Sequence, residues 1–241
     1  MRAETRHQLK QDRFSRVTID AAEATVHWSA EHQSKLIAGG IAVAVLAAAV
    51  FGSWYYLNQQ DESASLDLSQ AVRTLDAPVR PAGIPAQPGE TSFGSLKERA
   101  TAGQKQLQAI VDKYPHTRTA DQARYLLGTT SAELGDNAAA ENDFKSVSSV
   151  RNEDLAALAK FALASVYRNT NRNKDAMDLY NQLIAKPTNT VGKAEAQMAL
   201  AETYQANNQT ADARRIYEQI QKENPAGEVS QFASQKLQEL R

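Results

Sequence analysis

The chain has 241 residues and a formal net charge of −1, with 27 Lys and Arg side chains against 28 Asp and Glu. This balance offers no basic surface for a phosphate backbone, which argues against a nucleic-acid-binding protein. The chain contains no cysteine, so disulfides, thiolate metal sites and a cysteine nucleophile are excluded. Its length leaves room for one globular unit of moderate size beside one apolar segment.

Residues 1–35 are polar and of mixed charge, and we expect them to contain a short amphipathic helix. Their apolar residues recur at spacings of three and four, which places them on one helical face. These are Phe14, Val17, Ala21, Ala24 and Trp28. Two interpretations stay open: a helix that lies on the inner leaflet or packs on itself, and a cytoplasmic helix that docks a partner. His27 and His32 do not share a helical face, so they are not expected to bind a metal together.

Residues 36–57 run for 22 residues without a charged side chain. At about 1.5 Å per residue this helix is about 33 Å long, enough to cross a hydrocarbon core of about 30 Å. Trp54, Tyr55 and Tyr56 close its C-terminal end, where aromatic rings settle at the headgroup level. A buried core helix would keep a polar stripe, and a cleavable signal peptide would be shorter. We therefore predict one uncleaved transmembrane helix, a signal anchor.

Basic residues are distributed unevenly about this segment. Arg73 is the only Lys or Arg in the 20 residues that follow it. The basic residues before it are Arg2, Arg6, Lys10, Arg13, Arg16 and Lys35. Because Lys and Arg favour the cytoplasmic side, we expect a cytoplasmic N-terminus in a bacterial inner membrane and place residues 58–241 in the periplasm.

Two contrasting segments follow the apolar one. Residues 61–76 place Leu66, Leu68, Val72 and Leu75 among good helix formers, which predicts a helix. Residues 78–95 contain four prolines and three glycines, which remove backbone donors and forbid a regular helix. We interpret this segment as an exposed loop, either a plain connector or a binding loop, the first being the simpler reading.

From Leu96 onward the sequence repeats itself. Three copies, at about 121–152, 157–188 and 194–225, agree in register when shifted by 36 and 37 residues. Their shared positions hold small or apolar residues, namely Leu127, Gly128, Ser131, Ala140, Phe144 and Val147 in the first copy, Leu163, Ala164, Tyr167, Ala176, Tyr180 and Leu183 in the second, and Leu200, Ala201, Tyr204, Ala213, Tyr217 and Ile220 in the third.

Each copy predicts two antiparallel helices. Small residues let the two backbones approach, aromatic residues fill the space beside them, and polar turns separate the helices. The turns are Gly135-Asp136-Asn137, Asn171-Arg172-Asn173 and Asn207-Asn208-Gln209. Residues 96–118 form a partial copy whose first helix is 61–76, and residues 227–241 form an amphipathic helix that caps the last copy. The predicted fold is therefore an all-α solenoid of helix hairpins preceded by one transmembrane helix.

This pattern resembles the tetratricopeptide repeat, whose unit has 34 residues. The units here are longer, and the apolar residue expected at the fourth position lies one place later. The resemblance implies a groove lined by first-helix residues that binds proteins or peptides. The polar members of this groove are Thr129, Glu133, Ser165, Arg168, Asn169, Glu195, Glu202 and Gln205. Tyr125, Phe161 and Met198 are assigned either to the groove or to the core.

The sequence contains no recognisable catalytic motif. It lacks a phosphate loop, H-E-x-x-H and G-x-S-x-G, and His116 is the only histidine after the apolar segment. Acidic pairs such as Glu153 and Asp154 stand near predicted helix starts, where they complement the helix dipole. We therefore expect no catalytic residue, metal or cofactor.

The order of parts resembles the YfgM family, an ancillary subunit of the Sec translocon. The residues that carry this resemblance are Trp28, Leu36, Gly39, Gly40, Gly52 and Trp54 to Tyr56, followed by the helix at Asp61 and the repeats. It implies an adaptor that associates with the SecYEG channel, periplasmic chaperones or nascent secreted chains. The alternatives are a scaffold for outer-membrane or division machinery and an enzyme with a carboxylate site around Glu202 or Glu133.

Overall fold

The computed structural model describes residues 32–81, 91–223, 225 and 227–240. Within these ranges the secondary structure is helical except for one isolated bridge, which confirms the all-α fold class. The helices are α1 (Gln33–Asp76), α2 (Leu96–Lys113), α3 (Arg118–Glu133), α4 (Asn137–Val147), α5 (Glu153–Asn169), α6 (Asn173–Ala185), α7 (Lys193–Ala206), α8 (Thr210–Glu223) and α9 (Glu228–Glu239). The predicted amphipathic helix at Phe14 to Trp28 lies outside the described residues.

The chain divides into two compact units, residues 1–56 and 57–241. The described part of the first unit is dominated by the apolar part of α1, whose large side chains are exposed. Its most apolar window of 18 residues has a mean hydropathy of 2.3 and no buried residue. By length and composition this segment is a candidate membrane span.

Helix α1 is longer than predicted. The sequence suggested two helices, 36–57 and 61–76, whereas the structure joins them in one helix of 44 residues. The three residues between them, Asn58, Gln59 and Gln60, contain neither proline nor glycine, so nothing interrupts the helical hydrogen bonds.

The last part of α1 belongs to the second unit and packs on α2 and α3. Ala64 and Ala71 are fully buried beside Leu107 and Ile110. The Asp61 carboxylate accepts a hydrogen bond of 2.9 Å from the backbone N–H of Thr119 at the start of α3. These residues of α1 therefore serve as the first helix of a hairpin whose second helix is α2.

Helices α3 to α8 form three consecutive hairpins, α3–α4, α5–α6 and α7–α8. Each second helix buries one aromatic ring at the same repeat position, and these rings belong to Phe144, Tyr180 and Tyr217. Close approach requires a glycine in α3, because a Cβ atom on Gly128 would lie 2.9 Å from Cε1 of the Phe144 ring. The small and aromatic positions of the repeat thus form the contacts between paired helices.

The turn inside each hairpin has one residue in the left-handed region. These residues are Gly135, with φ of 82°, Asn171 with φ of 60° and Asn208 with φ of 61°. In each case the next residue donates its N–H to the carbonyl five residues earlier, for example Gln209 to Tyr204 at 2.8 Å. This is the hydrogen bond that closes a helix C-terminus when a left-handed residue follows it.

The effect of replacing Asn208 on stability should therefore depend on how readily the new residue adopts positive φ. We expect Asn208→Ala to lower the free energy of unfolding by about 1 kcal/mol, because alanine is disfavoured at positive φ. Asn208→Gly should retain or raise stability, since glycine adopts this conformation without steric cost. Urea unfolding followed by circular dichroism compares the two variants, and an alanine variant as stable as the glycine variant would contradict this account.

The two ends of the proline-rich loop 78–95 are tied together. Arg80 donates its N–H to the Phe93 carbonyl at 2.8 Å, and Phe93 donates to the Pro78 carbonyl at 3.0 Å. Ser95 then caps α2 by accepting a hydrogen bond from the Glu98 N–H. The tip of the loop, residues 82–90, lies outside the described residues.

Helix α9 packs against α8 as a cap, but not with all the residues that the sequence suggested. Ala233 is fully buried, and Val229, Leu237 and Leu240 pack around it. Phe232, predicted to belong to the same covering face, is instead 62% exposed. The four covering residues recur every three or four positions, which leaves Phe232 on the flank of the helix.

Candidate functional site

The first helices of the hairpins carry the residues predicted to bind a partner. Helix α3 contacts α5, and the capping helix α9 contacts α7 as well as α8. The capping helix therefore lies beside the first helices rather than only behind the last hairpin. Two of the surface cavities lined by these helices contain predicted residues, and four of the eight predicted polar residues lie in them.

The first cavity, here named the N-terminal groove, has a volume of about 740 Å³. It lies between the end of α1, the start of α2 and the end of α3. Thr129 and Glu133 belong to it, although the Thr129 hydroxyl donates a hydrogen bond of 2.7 Å to the Tyr125 carbonyl. The lining residues are Leu75, Asp76, Leu96, Lys97, Arg99, Ala100, Leu126, Thr129, Thr130, Glu133 and Leu134.

The second cavity, here named the C-terminal groove, has a volume of about 530 Å³ and lies between α5, α7 and α9. Two of the predicted residues, Glu195 and Glu202, belong to it. Its lining is otherwise mainly apolar and includes two aromatic rings from different helices. The lining residues are Phe161, Glu195, Met198, Ala199, Glu202, Val229, Phe232 and Lys236.

Tyr125, Phe161 and Met198 were assigned by sequence either to the core or to the groove. All three are half-buried and pack against core residues. The Phe161 ring meets the buried Tyr180 ring edge-on, with centroids 5.5 Å apart. Phe161 and Met198 also line the C-terminal groove. The side chains of Phe161 and Met198 therefore contact the core on one side and line the groove on the other, whereas Tyr125 lines neither groove.

Three of the predicted polar residues are held by neighbouring side chains. Arg168 forms an ion pair of 3.2 Å with Glu202, which links α5 to α7. Gln205 accepts a hydrogen bond of 3.2 Å from the Tyr217 hydroxyl. Burial, together with the charges of Glu202 and Glu239, raises the pKa of Tyr217 to about 12, so this hydroxyl stays a neutral donor.

The remaining predicted residues differ in their surroundings. The Ser165 hydroxyl lies 3.4 Å from that of Tyr180, and burial raises the pKa of Tyr180 above its usual value. Asn169 is exposed at the end of α5 and lines neither groove. Glu195 is exposed at the edge of the C-terminal groove. The structure thus brings Glu195, Glu202 and Arg168 to one site and leaves Asn169 apart from it.

Sequence reasoning missed the contribution of α9 to this groove. Val229, Phe232 and Lys236 line it, although the helix was interpreted only as a cap. Lys236 forms an ion pair of 2.9 Å with Glu239, and this hydrogen bond is the main cause that raises the pKa of Lys236. The available signal was the position of Phe232, one residue before the small, buried Ala233 on an otherwise regular apolar face.

Within the described ranges, no group of three or more His, Asp or Glu side chains is placed to hold a metal ion. The carboxylates of Glu195 and Glu202 line the C-terminal groove beside its apolar residues. A surface of this composition is suited to holding a polypeptide side chain.

Comparison with known families identifies the repeated unit. The family described as tetratricopeptide repeat-like domain matches residues 26–241. The matched region includes the apolar segment 36–57 as well as α2 to α9. No curated protein matches the chain.

Proposed function

Since the chain belongs to the tetratricopeptide repeat-like domain family, we propose that it is a membrane-anchored adaptor that binds other proteins through the C-terminal groove. A repeat fold of this family serves as a scaffold for protein interactions and is typically non-catalytic. Stacked hairpins present side chains from several helices on one continuous surface. Protein binding is therefore the general activity, and the membrane location and the partner are the specific parts of the proposal.

The exposure of Phe232 is the observation that carries the proposal. A phenylalanine side chain that is 62% exposed stands beside Phe161 and Met198 in the same groove. Exposed apolar patches rimmed by polar residues mark interaction sites, and aromatic residues and Met are enriched in the centres of interfaces. Methionine adapts its shape to different partners. This groove supports binding of an apolar side chain from another polypeptide.

The apolar part of α1 supports the membrane anchor. Within the part of the chain that the structure describes, its large side chains are exposed, and the span is long enough for a hydrocarbon core of about 30 Å. The family match covers this segment together with the repeats. We propose a single-pass anchor.

The uneven distribution of basic residues supports a cytoplasmic N-terminus in a bacterial inner membrane. We expect a reporter enzyme that is active only in the periplasm to be active when fused to the C-terminus of the full chain. The same reporter fused before Lys35 should be inactive. Activity of the N-terminal fusion alone would reverse the proposed orientation.

The resemblance to the YfgM family supports partners in protein secretion, namely the SecYEG translocon, periplasmic chaperones or nascent secreted chains. We expect a photo-crosslinking residue that replaces Phe232 in the full chain to capture such proteins in intact membranes. The same residue in place of Glu218, which is exposed on α8 and outside the groove, is the matched control.

Capture at position 232 but not at 218 would support binding through the groove. If the captured proteins belong only to outer-membrane or division machinery, the role in secretion is wrong and the scaffold for envelope assembly replaces it. Equal capture at the two positions would contradict binding through the groove.

A further inference from the structure

We infer that the C-terminal groove binds a polypeptide segment in which a large apolar side chain stands next to a Lys or Arg side chain. This inference rests on the proposed adaptor function and adds the chemical class of the ligand. The two halves of the ligand follow from two separate properties of the groove, its apolar walls and its unbalanced charge.

The walls determine the apolar half of the ligand. Phe161 and Met198 are held from behind by core residues, whereas Phe232 projects from α9 and is mostly exposed. The volume of about 530 Å³ lies within the range of about 300–1,000 Å³ that is typical of ligand sites. A single large apolar side chain would cover the exposed faces of Phe161, Met198 and Phe232.

The charged side chains at the edge determine the other half. The Glu202 carboxylate is paired with Arg168 at 3.2 Å, and Lys236 is paired with Glu239 at 2.9 Å. Each of these two ion pairs is neutral, so neither adds net charge to the groove. Glu195, the remaining charged residue of the lining, is exposed and has no ion pair within the described part of the chain. The edge of the groove therefore carries one uncompensated negative charge.

An incoming cation would compensate Glu195, whereas an incoming carboxylate would meet like charge. An exposed ion pair changes affinity by a few-fold at most, so the apolar contact supplies most of the affinity and the charge supplies the preference. A ligand that carries both groups side by side would contact the apolar walls and compensate the charge of Glu195. A second copy of this chain and an acidic partner are the competing occupants.

The test uses the full chain in detergent micelles and three fluorescein-labelled peptides of Gly and Ser. The first peptide carries a central Phe-Arg pair, the second Phe-Glu and the third Ser-Arg. Fluorescence anisotropy should give the tightest binding for Phe-Arg, about threefold weaker binding for Phe-Glu and loss of binding for Ser-Arg.

The variant Glu195→Lys should reverse the order of the Phe-Arg and Phe-Glu peptides. Glu218→Lys, the same change on an exposed residue of α8, should leave the order unchanged. Both positions are exposed, so the variants are expected to fold, and circular dichroism melting checks this. Reversal at Glu195 alone would support the inference.

Equal affinity for the Phe-Arg and Phe-Glu peptides, or no effect of Glu195→Lys, would overturn the inference. If light scattering detects dimers of the wild type that are lost in Phe232→Ser, the occupant of the groove is a second copy of this chain, and the inference is wrong. Crosslinking at Phe232 tests the adaptor function separately from the ligand class. Capture of partner proteins without a preference for Phe-Arg leaves the adaptor function standing and rejects only the ligand class, whereas failure of both experiments rejects the adaptor function too.

Discussion

We expect Tyr180→Ala to lower the free energy of unfolding by about 3–5 kcal/mol, a large effect for a single substitution. Tyr180 is fully buried in the central hairpin and packs against Phe161 from the neighbouring helix. Alanine would leave a cavity that the surrounding helices fill only in part. Because each hairpin is stabilised by its neighbours, the loss in the middle should also make unfolding less cooperative. Urea titration followed by circular dichroism measures both effects.

Tyr180→Phe is the matched control for this prediction. It keeps the ring and removes only the hydroxyl, which lies 3.4 Å from that of Ser165. We expect a loss below about 1.5 kcal/mol, the usual contribution of one hydrogen bond. A loss in Tyr180→Ala no larger than that in Tyr180→Phe would show that the ring is not a central packing element.

The double substitution Leu46→Arg with Ala47→Arg should release the protein from membranes. Both residues stand at the middle of the segment 36–57, where a charged side chain costs about 2.5–3.5 kcal/mol on insertion scales. Two such charges would offset most of the free energy of insertion. We expect the wild type in the membrane pellet after alkaline carbonate extraction and the variant in the supernatant.

Leu66→Arg provides the control on the same helix. Leu66 is 74% exposed but lies beyond the apolar segment, so an arginine there should not affect membrane association. Release by Leu66→Arg to the same extent would indicate a general folding defect. Retention of the double variant in the pellet would contradict the membrane anchor.

The helical hairpins and their turns could be predicted from the sequence because both depend on local chemistry. Recurring small and aromatic residues identify the faces that must be buried, and residues that tolerate positive φ mark the turns. Gly135 and Asn171 stand in the predicted turns and adopt that conformation. The apolar length of residues 36–57 likewise needs no tertiary information.

The composition of the candidate site could be predicted only in part. Glu195 and Glu202 were expected in a groove and line one, but Phe232 and Lys236 were not. The sequence shows that α9 has an apolar face. It does not show which residues at the edges of that face are covered, because this depends on how α9 packs beside α7 and α8. The pairing of Arg168 with Glu202 likewise joins residues that are distant in sequence.

That this protein consists of one apolar helix followed by repeated helical hairpins follows from local features of its sequence, since periodicity, turn residues and the absence of charge act over a few residues. The grouping of Phe161, Met198 and Phe232 in one groove, by contrast, follows only from the packing of helices that are distant in sequence. A half-buried side chain faces either the core or the surface, and the helix that packs beside it determines which.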